Sequence, residues 1–173
     1  MFFKALKEKS IEKTIKKELS KESSFPSSGG VLRSLAIVIN YDDLVDYKPL
    51  LNIAKAINIS NENVFITGYV EKLYKNVNYM IPVFSKKSFG TRGAVKSEDL
   101  NNFLNREYDI VINYYTDSNI YLNLVSALIK SPMKVGISEE NEAVNNLVLK
   151  VNEGDFSRFS DELVKYLSIL KKI

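Results

Sequence analysis

Two short runs of this chain, Leu35-Ala36-Ile37-Val38-Ile39 and Ile110-Val111-Ile112, are apolar at every position, and each ends in an asparagine, Asn40 and Asn113. A strand with one face in water alternates apolar and polar residues. A continuous β-branched run instead implies a strand covered on both faces, as in a parallel sheet packed between helices. That requirement limits the architecture more than any other feature of the sequence.

The rest of the pattern is consistent with it. "NVFITGYV" (63–70), "YMIPVF" (79–84), "KVGI" (134–137) and "NLVLKV" (146–151) read as further strands. Pro82 cannot donate to a ladder, so it points to an edge position for the third of the six. Between them lie helical segments. "YDDLVDYKPLLNIAKAIN" (41–58) offers Asp42 or Asp43 as N-cap and Pro49 in a first turn. "SEDLNNFLNREY" (97–108) starts at Ser97, and "NIYLNLVSALIKS" (119–131) and "DFSRFSDELVKYLSILKKI" (155–173) follow. Strands alternating with helices of this length predict a three-layer α/β domain over residues 31–173. Its sheet is mostly parallel, with five or six strands, in the Rossmann or flavodoxin manner.

Residues 1–21 stand apart from that pattern. They read as an amphipathic helical extension with Phe2, Leu6, Ile11, Ile15 and Leu19 as its stripe. They hold seven lysines against Glu8, Glu12 and Glu18, a balance of +4 in a chain of net charge +3, which leaves −1 for the remainder. The following "SKESSFPSSGG" has the composition of a flexible Ser/Gly linker, assigned here to residues 22–30. Two arrangements stay open. The helix is separable and offers Lys4, Lys7, Lys9, Lys13, Lys16 and Lys17 to an anionic partner, either an RNA-containing assembly or a membrane surface. Alternatively, it packs its stripe on the domain and leaves the lysines in water.

Absent residues exclude whole classes of chemistry. The chain has no Cys and no His, so thiol nucleophiles, disulfides, cysteine-ligated metals and histidine-based acid–base catalysis are all ruled out. No metal site is expected. "FGTRGAVKS" (89–97) lacks the spacing of a phosphate loop or a dinucleotide turn, and no cofactor is implied. The first residues do not have the form of a secretion signal, and no run of about 20 apolar residues is present. A cytoplasmic, non-catalytic binding or adaptor protein is the leading expectation.

The alternative is a binder of a nucleotide or nucleotide-sugar, or a minimal enzyme, using a cleft at the carboxyl ends of the strands. Open α/β sheets place ligands there. The residues so positioned are Asn40, Tyr41, Asp42 and Asp43 after the first strand, and Asn113, Tyr114, Tyr115 and Asp117 after the fourth. The plain reading of the same residues is helix capping, loop bonding and cover for the sheet edge.

Two resemblances add to this. "FKALKEKSIEK" (3–13), "NREYDIVINYYTDSNIYLNLVSALIKSPMKVGI" (105–137) and "LVKYLSILKKI" (163–173) resemble an uncharacterised family of short proteins from flavobacteria and other Bacteroidota, a domain of unknown function. Residues 108–137 are also similar to the N-terminal lobe of heptosyltransferase-like glycosyltransferases. In those two-lobed enzymes the nucleotide-sugar pocket belongs to the second lobe, so this similarity implies a fold and not an activity.

Overall fold

The computed structural model describes residues 1–21, 30–44 and 46–173. The proposed linker therefore lies, apart from Gly30, outside the described residues. Six strands form one sheet: β1 (Leu35–Asn40), β2 (Val64–Tyr69), β3 (Val83–Phe84), β4 (Ile110–Tyr114), β5 (Lys134–Gly136) and β6 (Leu147–Val148). All neighbours are parallel, in the order β3-β2-β1-β4-β5-β6. The helices are α1 (Phe2–Lys21), α2 (Lys48–Ala56), α3 (Glu98–Leu104), α4 (Ile120–Leu128) and α5 (Phe156–Ile169).

The expected three-layer α/β architecture is present, with β1 at its centre between β2 and β4. All six residues of β1 and all five of β4 are buried. The two-residue period of a strand sends successive side chains to opposite layers. Leu35, Ile37, Ile39, Ile110, Ile112 and Tyr114 join the core beneath α2 and α5. Ala36, Val38, Val111 and Tyr115 join the core beneath α3 and α4. The register of the central pair is held where the strands begin. Asp109 Oδ2 accepts from the amides of Arg33 (2.7 Å) and Ser34 (3.1 Å), while the Asp109 amide donates to Ser34 Oγ at 3.0 Å.

The outer strands are shorter than their sequence patterns. Only Val83 and Phe84 of the 79–84 run are strand residues; Pro82, beside them at the sheet edge, has no amide to donate and accepts from the Gly68 amide at 3.1 Å. Of 146–151, only Leu147 and Val148 pair. The assignment of Asp42 or Asp43 as the N-cap of α2 is corrected, because that helix begins at Lys48 with Pro49 in its first turn. Its first amide, that of Lys48, donates to Asp46 Oδ1 at 3.0 Å. Asp42 and Asp43 belong instead to the turn that follows β1.

Of the two arrangements open for α1, the structure has the docked one. Ile11 is 0% exposed and joins the core beneath α3 and α4, with Ile15 packed against that core. Lys7 Nζ donates to the Phe89 carbonyl at 3.0 Å and lies 5.8 Å from the centre of the Tyr121 ring. Thr14 Oγ1 donates to the Arg92 carbonyl at 2.8 Å. Phe2 and Leu6, read as part of the stripe, are exposed, so the docked face is centred on Ile11. Among the described residues no helix is long and apolar enough to cross a membrane.

This docking separates two substitutions that the periodicity treats alike. Ile11→Ala is expected to destabilise the protein by about 2–5 kcal/mol, the range for emptying a buried aliphatic site. Leu6→Ala should stay within about 0.5 kcal/mol, as exposed positions do. Urea unfolding of both variants checks the difference.

Candidate functional site

The strand order reverses between β1 and β4. From β1 the chain winds outward through β2 to β3, then returns to β4 and winds the other way. The carboxyl ends of these two strands flank the crevice where doubly wound sheets hold ligands. Register pairs Val38 with Asn113 and Ile39 with Tyr114, so the candidates from the two strands are brought together.

Once there, most of them are engaged with one another or with the core. Asn40 Nδ2 donates to Asp43 Oδ2 at 2.7 Å, and Asn40 Oδ1 accepts from the Asp42 amide at 3.3 Å. Asp42 Oδ2 accepts from the Glu71 amide at 2.8 Å, tying this turn to the end of β2. Tyr41 extends the β1–β2 ladder through its amide and meets Tyr79 edge-to-face at 5.7 Å. The β1 turn is thus a self-bonded structure, with the exposed parts of Asp42 and Asp43 on its outside.

The residues after β4 diverge. Tyr114 enters the α5 side, where its ring stacks on Phe156 at 5.3 Å and its hydroxyl donates to the Glu153 carbonyl at 2.5 Å. Tyr115 enters the α4 side, where its hydroxyl lies 2.7 Å from Ser126 Oγ and 3.2 Å from Asn123 Oδ1. Burial pushes both phenols well above the usual tyrosine range, so neither is poised as a base. Asp117 stays exposed.

Asn113 is the hub of a buried polar network that reading by motif did not find. Its Oδ1 accepts from Ser126 Oγ at 2.7 Å and its Nδ2 donates to Asn145 Oδ1 at 2.8 Å. Asn145 donates to the Asn141 carbonyl at 2.8 Å, and Asn141 donates to the Tyr115 carbonyl at 3.3 Å. Fully buried Lys134 anchors the far end by donating from Nζ to the Ser126 carbonyl at 2.7 Å. Asn145 can lie over the sheet because Gly136 has no side chain; a Cβ there would collide with its amide group. No local signal marks these partners, which lie 13 to 32 residues from Asn113.

What remains open at the crevice is acidic. The Glu153 carboxyl is raised above its ordinary value, first by burial and then by the charges of Asp43 and Asp117. A phosphate brought here would meet those same charges. Among the described residues no cluster of three or more acidic side chains could hold a metal ion.

The second candidate surface is on α1. Lys7 is used internally, and Lys4 pairs with Glu8 at 3.9 Å. Lys9, Lys13, Lys16 and Lys17 are exposed. With about 3.6 residues per turn, Lys9, Lys13 and Lys16 fall opposite Ile11, and Lys17 flanks them. Glu8 and Glu18 are half-buried, leaving Glu12 as the exposed acid of the helix. Lys9, Lys13, Lys17, Leu6 and Arg92 line a groove of about 510 Å³ beside the helix. Arg92 sits at φ 59°, in the left-handed region that costs a non-glycine residue about 1–2 kcal/mol. The Thr14 hydrogen bond to its carbonyl holds that turn against α1.

Residues 7–170 match the family of unknown function DUF6913. The chain belongs to that family. The match begins at Lys7, so most of α1, with Ile11 and the exposed lysines, lies within the span that defines DUF6913. Both strand ends and the asparagine network lie within it too. No curated protein and no solved structure matches the chain.

Two outcomes test this geometry. Gly136→Ala should cost about 1–3 kcal/mol by displacing Asn145 from Asn113, whereas Gly154→Ala, where a Cβ meets nothing within 4 Å, should be near neutral in thermal unfolding. Glu153 gives the second. With a folded-state value above the unfolded one, the native state holds its proton longer, so stability falls as pH rises from the ordinary carboxylate value to the raised one. Glu153→Gln should therefore raise stability at neutral pH and lose that advantage below about pH 4, in unfolding measured across pH.

Proposed function

We propose that this DUF6913 protein is a non-catalytic binding or adaptor protein that meets an anionic partner, an RNA-containing assembly or a membrane surface, through the outer face of α1. The observation that carries the reading is the docking itself. It buries Ile11, takes Lys7 and Thr14 into internal bonds and turns Glu8 and Glu18 toward the domain. Lys9, Lys13, Lys16 and Lys17 are left outward, with Arg92 across the groove. Lysines on a helix fixed to a folded body form a patch of set geometry, so less ordering entropy is lost on contact than for a free peptide. A chain without Cys or His suits such a role in the cytoplasm.

A second reading keeps the crevice between β1 and β4 as a small-molecule site, supported by the point of strand reversal. Asp43, Asp117 and Glu153 favour a ligand with a cationic group there over a nucleotide or nucleotide-sugar.

Retention on immobilised heparin tests the main reading. The protein should elute well above physiological salt, because each lysine–anion contact releases counterions. Lys9→Glu/Lys13→Glu/Lys17→Glu should elute near the void at an unchanged melting temperature, since these side chains are exposed. Retention equal to that of the parent protein would remove the basis of the proposal.

A further inference from the structure

The first turn of α1 carries apolar side chains that the fold does not use. Phe2 is 74% exposed, Phe3 84% and Leu6 49%, and Met1 is wholly exposed. Three large apolar residues within five positions of one helix is more than scattered surface hydrophobicity. Phe2 and Leu6 fall on the same outward side as Lys9, Lys13 and Lys16. Along the axis, Lys9 and Lys13 follow Phe2 by roughly 10 and 16 Å at about 1.5 Å per residue. The outer face of the helix is thus apolar in its first turn and cationic in the turns that follow.

We infer that this face docks on an anionic lipid bilayer, with Phe2 and Leu6, flanked by Met1 before the helix and Phe3 at its side, entering the headgroup region and Lys9, Lys13, Lys16 and Lys17 lying along the lipid phosphates. The inference rests on the reading of α1 as the surface for an anionic partner and names that partner. Three observations favour a bilayer over RNA. Phe2 and Phe3 meet edge-to-face, with centroids 6.2 Å apart and planes at 75°, which forms a wedge rather than a flat platform for stacked bases. Met1 and Leu6 have no flat face to stack and gain only by leaving water. The order of the residues also matches the depth profile of an interface, apolar groups deepest and lysines at the phosphate level. Ile11 is held in the core, so the helix stays on the domain and presents this face from outside. Each lysine near an anionic surface strengthens binding about fivefold.

The test uses the full chain with sucrose-loaded vesicles of phosphatidylcholine, with and without phosphatidylglycerol, and immobilised heparin in parallel. The protein should sediment with the phosphatidylglycerol vesicles and stay in solution with phosphatidylcholine alone. Phe2→Ser/Phe3→Ser/Leu6→Ser should keep the parent's thermal unfolding and heparin elution, because these side chains are exposed, yet lose at least about tenfold in vesicle affinity. Lys9→Glu/Lys13→Glu/Lys17→Glu should lose both vesicle and heparin binding. The chain has no tryptophan, so Phe3→Trp supplies a single reporter whose emission should shift to the blue on anionic vesicles. If the apolar variant binds vesicles as the parent does, or the reporter stays in water, the docking inference is overturned. Heparin binding without vesicle binding overturns it and leaves the anionic-partner reading in place; loss of both in the parent protein removes both.

Discussion

Strand β1 has no face that meets water. Its six residues are buried from both sides, and its backbone is paired to β2 on one edge and β4 on the other. A strand in that position is stable only if each face is roofed by helices, because exposed β-branched residues would forfeit the apolar burial that drives folding. On one side α2 and α5 supply the cover. On the other, α3 has seven residues and α4 nine, and α1 lies against α4 and the 91–93 turn to close the layer. The place of the N-terminal helix follows from the need of the central strand for two roofs.

The sequence made the centre of the fold plain and its periphery less so, for one physical reason. Residues 35–39 and 110–112 are apolar because both faces are buried, and that demand is written in consecutive positions. At the edges the demand weakens, so the runs at 79–84 and 146–151 pair over two residues each. The sequence left the docking of α1 open against a separable helix because its face mixes Ile11 with Lys7 and Thr14, whose partners are carbonyls at Phe89 and Arg92, about 80 residues away. Periodicity reports which side of a helix is apolar. It does not report which distant carbonyl an embedded lysine will find.

The candidate site shows the same division. Strand ends were located correctly by the rule for parallel sheets, but the adjacent tyrosines 114 and 115 could not both line one crevice. The two-residue period sends them to opposite layers, one to Phe156 and the other to Ser126. Asn113 reads as a polar strand terminus and serves as the centre of a network whose members come from α4, β5 and the loops after it. Such a network, in which both side-chain atoms of Asn113 are paired and Asn141 Oδ1 is left without a partner among the described residues, fixes how β4 and β5 sit more strictly than apolar contacts would. Charge is separated across the molecule: carboxylates gather at the strand ends, while lysines cover the outside of α1.

The contacts of α1 carry a consequence for how the protein is made. Its partners, residues 86–92 and helix α4 ending at Leu128, are encoded far downstream of it. A ribosome adding about 5–20 residues per second therefore releases the helix roughly 5–20 seconds before its seat exists. During that interval the nascent helix displays Ile11 and Ile15 together with Phe2, Phe3 and Leu6, so its apolar surface is at its largest while the rest of the chain is still being synthesised. Completion of α4 then divides that surface in two, covering one part within the domain and leaving the other facing outward.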